Sequence, residues 1–166
     1  MRSRIGIDVA APPDLVYRLA RDVTRWERLL PHYARSRVVR TEPDGVLVCD
    51  FVARRPLVPV LGIGLPVAWR SRTWHEPATR RLRFVHVAGA TRGMDVTWTI
   101  EPSPGGSRVD IAHDFGPRVP GWAAFVDRLF TRPIAGRTLR TFRALAEALA
   151  EPVPVDASEP TAPANP

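Results

Sequence analysis

The chain has no lysine, and all 24 of its basic residues are arginine. It has one cysteine, Cys49, which excludes an internal disulfide and stands without a partner at metal-ligand spacing. We read Cys49 as a small buried hydrophobe. No stretch approaches the ~18 consecutive apolar residues of a membrane span. Residues Met1 to Val9 alternate polar and apolar, without the apolar core of roughly 7 to 15 residues that marks a secretion signal. A cytoplasmic protein without stable membrane insertion is therefore expected. Also missing are a Gly-x-Ser-x-Gly elbow, a phosphate-cradling glycine loop and a dinucleotide fingerprint. Leu61-Gly62-Ile63-Gly64-Leu65 lacks both the third glycine and a following helix. Bracketed by Pro56, Pro59 and Pro66, it reads as a flexible hairpin or mouth loop. Helical His-x-x-x-His and His-x-x-Glu-His patterns are lacking too, so neither a metal nor a cofactor is expected.

What is present fits one globular domain: 166 residues, 45% apolar and 25% charged. The net charge of +7 would suit a nucleic-acid binder. The arginines are scattered from Arg2 to Arg143, however, rather than gathered on one face with interleaved aromatics. Nucleic acid is not an expected partner. Residues 151–166 hold five prolines at 152, 154, 160, 163 and 166, three acids (Glu151, Asp156, Glu159) and no aromatic residue. They read as a solvated, disordered tail after a domain at 1–150.

Within the domain, apolar and polar residues alternate over 3–9, 35–42, 45–54, 67–76, 80–88, 93–102 and 107–115, separated by short turns. This predicts seven antiparallel strands. Two short helical patterns, Pro13–Arg21 and Thr24–Leu30, follow the first strand. Residues 121–150 keep apolar side chains at helical spacing, with Pro133 expected to kink or divide the helix. The predicted class is α+β: a seven-stranded antiparallel curved sheet wrapped around a long C-terminal helix. The helix must bury its stripe against one sheet face, which invites a cavity there.

Strand alternation suggests the lining. Arg70 and Arg72 face water, turning Trp69, Ser71, Thr73 and His75 inward; likewise Leu82, Phe84 and His86, then Met94, Val96, Trp98 and Ile100, then Val109, Ile111, His113 and Phe115. Such an apolar wall with a few polar groups suits a flat, hydrophobic, oxygenated ligand.

Several residues together are similar to one family. They are Ile7-Asp8-Val9-Ala10-Ala11-Pro12-Pro13-Asp14-Leu15-Val16-Tyr17, Asp22-Val23 with Trp26, Leu30-Pro31, Trp69-Arg70-Ser71-Arg72 leading to Glu76-Pro77, Gly93-Met94 with Trp98, Gly106 with Val109, and Ala112-His113-Asp114-Phe115. Over residues 4–150 this pattern resembles the START/SRPBCC superfamily with its helix-grip fold, and within it the polyketide cyclase/dehydrase group. The resemblance implies a cavity that folds a poly-β-ketone for aldol closure and dehydration. It places His113 at a catalytic histidine, Trp69 and Ser71 on the pocket strand, and Trp26 and Tyr33 at aromatic pocket positions. The family's catalytic arginine falls on Thr73, and an acidic residue used on the last helix falls on Thr138. Arg72 alternates to the opposite face and would need a β-bulge to reach the cavity.

The chemistry asks for a base, donors to a developing oxyanion and a shaping wall. His113 is the candidate base, with Ser71, Thr73 and Tyr33 as hydrogen-bond donors. Trp26, Trp69, Phe84, His86, Met94, Trp98, Ile111, Thr138 and Phe142 are the candidate ligand contacts. The expected partner is a hydrophobic small molecule or polyketide intermediate, delivered by an acyl carrier protein. The alternative is a non-catalytic carrier of a quinone or lipid. Monomer and homodimer both stay open, with Trp74 and Trp122 as candidate interface residues.

Overall fold

The computed structural model describes residues 1–58, 63–116 and 121–150. The expected tail lies outside the described residues, as do Leu61 and Gly62 of the Leu61–Leu65 segment, whose remaining residues open a strand instead of a loop. Seven strands form one antiparallel sheet: β1 (Arg2–Val9), β2 (Tyr33–Thr41), β3 (Leu47–Val58), β4 (Ile63–Glu76), β5 (Arg81–Gly89), β6 (Met94–Ser103) and β7 (Gly106–Phe115). Their spatial order is β1-β7-β6-β5-β4-β3-β2, so the first two strands in sequence stand at opposite edges. The chain crosses between those edges through α1 (Pro13–Arg21), a 3-10 turn at Val23–Arg25 and α2 (Trp26–Leu29). Pro13 suits the first turn of α1, where a missing N–H costs nothing.

Alternation holds where the sheet carries the core. In β6, Met94, Val96, Trp98 and Ile100 are buried while Asp95 and Glu101 are exposed. In β7, Val109, Ile111, His113 and Phe115 are buried while Ala112 and Asp114 are exposed. The outer face is instead laced with arginine pairs, Arg70 with Asp50 and Arg4 with Asp110 among them.

Strands β3 and β4 run further than their sequence suggests. The prolines at 56 and 66 read as breakers, yet Arg54 pairs with Pro66 and Pro56 with Gly64. In this stretch the two strands pair only with each other, since β2 joins β3 no further than Ala53 and β5 joins β4 only from Trp69. Each proline therefore has an open edge on which its missing N–H is not required. A register shift between Arg70 and Ser71 opposite Ala88 and His86 marks a bulge. Nearby Gly89, at φ +91°, lets β5 approach so closely that a Cβ there would lie 2.8 Å from Trp69 Cα.

The C-terminal helical segment is divided as expected, but by a wide turn ahead of the proline. It consists of α3 (Trp122–Val126), a π-helical turn at Asp127–Thr131 and α4 (Arg132–Ala150), with Pro133 near the start of α4. A proline ring clashes with the carbonyl four residues earlier, and the looser turn relieves that clash. Ala135, Thr138, Leu139, Phe142 and Ala146 form the buried stripe of α4. This stripe closes the concave face, with α4 packed against β1 and α1.

Candidate active site

At the centre of the closed face, Trp26 is buried and its indole N–H donates to Ala20 O at 3.0 Å. Its ring lies 5.3–5.9 Å from those of Tyr33, Phe51, Phe84, Trp98 and Phe142. Trp69 stacks with both Phe51 and His86 at 5.4 and 5.7 Å. Beside this cluster lies a cavity of about 80 Å³. Its walls are mostly apolar: Trp26 from α2, Phe51, Val67, Trp69, Phe84, Met94, Val96, Trp98 and Ile111 from the sheet, and Phe130, Ile134 and Ala135 from the C-terminal helical segment. Its polar lining is Tyr33, His86, Thr91, His113, Thr131 and Thr138. No arginine is among the described residues that line it.

The buried imidazoles are all held neutral. Burial pushes His113 down to about 4, with the Asp127 carboxylate acting in the opposite direction. Burial, reinforced by His113, pushes His86 down to about 3. His86 Nδ1 shares a 2.7 Å hydrogen bond with Thr91 Oγ1 across the β5–β6 turn. Burial also raises the Tyr33 phenol, partly offset by the Thr138 hydroxyl, so Tyr33 remains a donor at any physiological pH. Thr138 donates to Ile134 O at 2.9 Å. Its lone pair is then left to accept from His32 Nε2 at 2.8 Å, which assigns His32 the Nε2–H tautomer. Burial and the nearby Arg137 and Arg140 push His32 down to about 4.

Of the residues singled out in the sequence, Tyr33, His113, Trp26, Trp69, Phe84, His86, Met94, Trp98, Ile111 and Thr138 all line this cavity. Ser71 does not, because its hydroxyl turns to backbone carbonyls, with Arg72 O at 3.0 Å and Val85 O at 3.2 Å. Phe142 packs behind the wall, against Trp26 and Trp98. Thr73 is buried at a second cleft, shared with Arg21, Arg72, His75 and Phe84. His75, expected inward, is exposed at the end of β4, where its Nδ1 lies 3.3 Å from Tyr17 Oη. The bulge beside Ser71 leaves Arg72 on the outer face, paired with Glu42 at 2.6 Å. Cys49 is buried, as its reading as a hydrophobe requires, and burial pushes its thiol up to about 11.

Sequence reasoning missed His32, Phe51, Thr91 and the helical wall of Phe130, Thr131, Ile134 and Ala135. Alternation along β3 could have supplied Phe51, inward with Cys49 and Ala53. Helical spacing could have supplied Thr131 and Ala135 beside Thr138. Thr91 and His32 lie in turns, where no period points to them.

A family model described as polyketide cyclase / dehydrase and lipid transport matches residues 2–151. The chain belongs to this family. It is 32% identical over 101 residues to a Streptomyces halstedii protein named as a candidate polyketide cyclase, covering 60% of this chain and 87% of that one. Its fold matches the Zhui aromatase/cyclase from a Streptomyces species with a TM-score of 0.74 at 19% identity, over 91% of this chain and 96% of that one. A START superfamily protein from Mycobacterium smegmatis matches with a TM-score of 0.56 at 18% identity, over 90% and 96%. The curved sheet gripping a long terminal helix is thus the helix-grip fold of this family.

Proposed function

We propose that this family member is a polyketide cyclase/aromatase-like enzyme that folds a hydrophobic poly-β-ketone in the cavity and promotes its aldol closure and dehydration. The observation that carries the reading is His113, a neutral imidazole on a mostly apolar wall, with Tyr33 available as a donor in the lining of the same cavity. In the closure step the imidazole takes an α-proton, the enolate carbon attacks a ketone carbon, and the imidazolium returns its proton to the new alkoxide. Dehydration then removes a second α-proton and the hydroxyl as water. Tyr33 donates to the oxyanion formed on the way. At about 80 Å³ the cavity is narrower than the ~150 Å³ that holds a benzene ring in an engineered core. A poly-β-ketone therefore needs the cavity to widen around it.

The absence of an arginine among the described lining residues favours a second reading, a carrier of a quinone or lipid, and the family description also names lipid transport. Presenting a poly-β-ketone thioester to the protein and following its mass separates the two. Loss of water with ring formation supports the cyclase. Tight retention without conversion, with a quinone or lipid extracted from protein made in its own host, overturns it in favour of the carrier.

A further inference from the structure

Phe84 lines both of the spaces described above: the cavity of about 80 Å³ that holds His113 and the cleft of about 590 Å³ at Thr73. Inward positions on three neighbouring strands divide between the two in the same way. Phe51 of β3, Trp69 of β4 and His86 of β5 line the first space. Leu47, Thr73 and Leu82 of the same strands line the second. Each of these lies four residues from its counterpart, which at ~3.3 Å per residue separates the two sets by ~13 Å. The inward residues between them are Cys49, Ser71 and Phe84, all buried. The boundary runs obliquely, since Cys49 pairs with Ser71 but Phe84 with Thr73. Of these three, only Phe84 is bulky. The helical side divides at the same level, with Trp26 in the wall of the first space and Val23 in that of the second. The Trp26 ring meets the Phe84 ring at 5.7 Å, and those of Phe51 and Trp98 lie 6.2 and 6.4 Å from it.

We infer that Phe84 is the length-determining residue of the His113 cavity: its ring closes the cavity against the cleft, so an extended chain cannot pass from one space into the other. The inference rests on the reading of the His113 cavity as the ligand site and adds what limits the ligand there, a compact ketone-bearing end rather than a long chain. Val23, Val46, Leu47 and Leu82 give the cleft apolar walls. The charge of Arg72 in the same lining is met by Glu42 and Asp44. The cleft therefore suits an uncharged alkyl or acyl chain, the part of a ligand that the Phe84 ring keeps out.

The test titrates acetophenone and hexanophenone into full-length wild type, Phe84→Ala and Phe84→Leu, read by tryptophan quenching and by ¹³C-methyl NMR. Wild type should bind the two ketones within about threefold of each other, since the longer chain finds no further apolar surface to bury. The methyls of Met94 and Ile111 in the cavity should shift, while those of Leu47 and Leu82 in the cleft stay still. A buried methylene contributes up to about fourfold in affinity, so in Phe84→Ala hexanophenone should gain at least about tenfold over acetophenone and shift Leu47 and Leu82. Phe84→Leu, which keeps the core filled, should show the same gain in smaller measure and decides alone if Phe84→Ala does not fold. Phe142→Leu alters a ring that lines neither space and should keep the wild-type profile. Hexanophenone that shifts Leu47 and Leu82 in wild type overturns the inference. So does a wild-type profile in the Phe84 variants, an equal gain in Phe142→Leu, or no binding of either ketone by any of these proteins. A protein that shows the length switch yet converts no poly-β-ketone upholds the Phe84 assignment and removes only the cyclase reading.

Discussion

Acidification from pH 7 to 4.5 is expected to unfold this protein, and the cause lies in three histidines rather than in its many arginine–carboxylate pairs. His32, His86 and His113 are all buried, and burial lowers them from 6.5 to about 4, about 3 and about 4. The folded-state values lie below the unfolded one, so between them the unfolded chain binds protons that the folded chain does not. Stability is therefore complete above pH 6.5 and falls as the pH drops toward 4. Each such histidine contributes a slope of roughly 1 to 1.5 kcal/mol per pH unit. Together the three give at most about 4 kcal/mol per unit, or roughly 8 kcal/mol between pH 6.5 and 4.5, comparable with the whole stability of a typical domain. Asp14, Glu42, Asp50 and Asp110, which arginines hold below the ordinary carboxylate range, add to the loss only when the pH nears 4. Urea melts at half-unit pH steps measure the slope. His86→Gln should reduce it by about a third. A stability that is flat between pH 6.5 and 5 would refute the burial argument for all three imidazoles.

Other substitutions test the packing and the geometry of the site. Trp26→Ala removes the hub of the aromatic cluster and should cost about 3–5 kcal/mol in a urea melt, since its buried volume cannot be refilled by five surrounding rings. Thr138→Val keeps the shape but deprives His32 Nε2–H of its acceptor, and should cost about 1–3 kcal/mol by the same measurement. Arg72→Gln should change stability by no more than about 1 kcal/mol and leave ligand affinity intact by titration, because its partner is Glu42 on the outer face.

The strands that face the cavity were legible because burial on one side imposes a strict period of two. Met94, Val96, Trp98 and Ile100 could be assigned inward on that ground alone, as could Ile111 and His113. The same rule survives in β5 because the bulge lies beyond His86 rather than before it. It fails where a polar side chain has a choice. Ser71 does lie on the buried side, but its hydroxyl turns to backbone carbonyls, a preference that alternation cannot register. His75 keeps its parity but stands at the end of β4, past the cover of the helix. The β3–β4 extension was hidden because its prolines read as strand breakers, while only the pairing pattern shows that each has an open edge. His32 carried no signal at all. Its partner, Thr138, is brought close only by the packing of the last helix on the sheet.

In the proposed reaction His113 performs the chemistry in a cavity whose affinity comes from its apolar walls. The most direct measurement is His113→Gln assayed twice, for single-turnover conversion of a poly-β-ketone thioester and for binding of an unreactive analogue by quenching of tryptophan fluorescence. Conversion is predicted to fall by about 10²- to 10⁴-fold, the usual contribution of a general base, with affinity little changed. Undiminished conversion, or a loss of affinity that accounts for the whole loss of conversion, would contradict it.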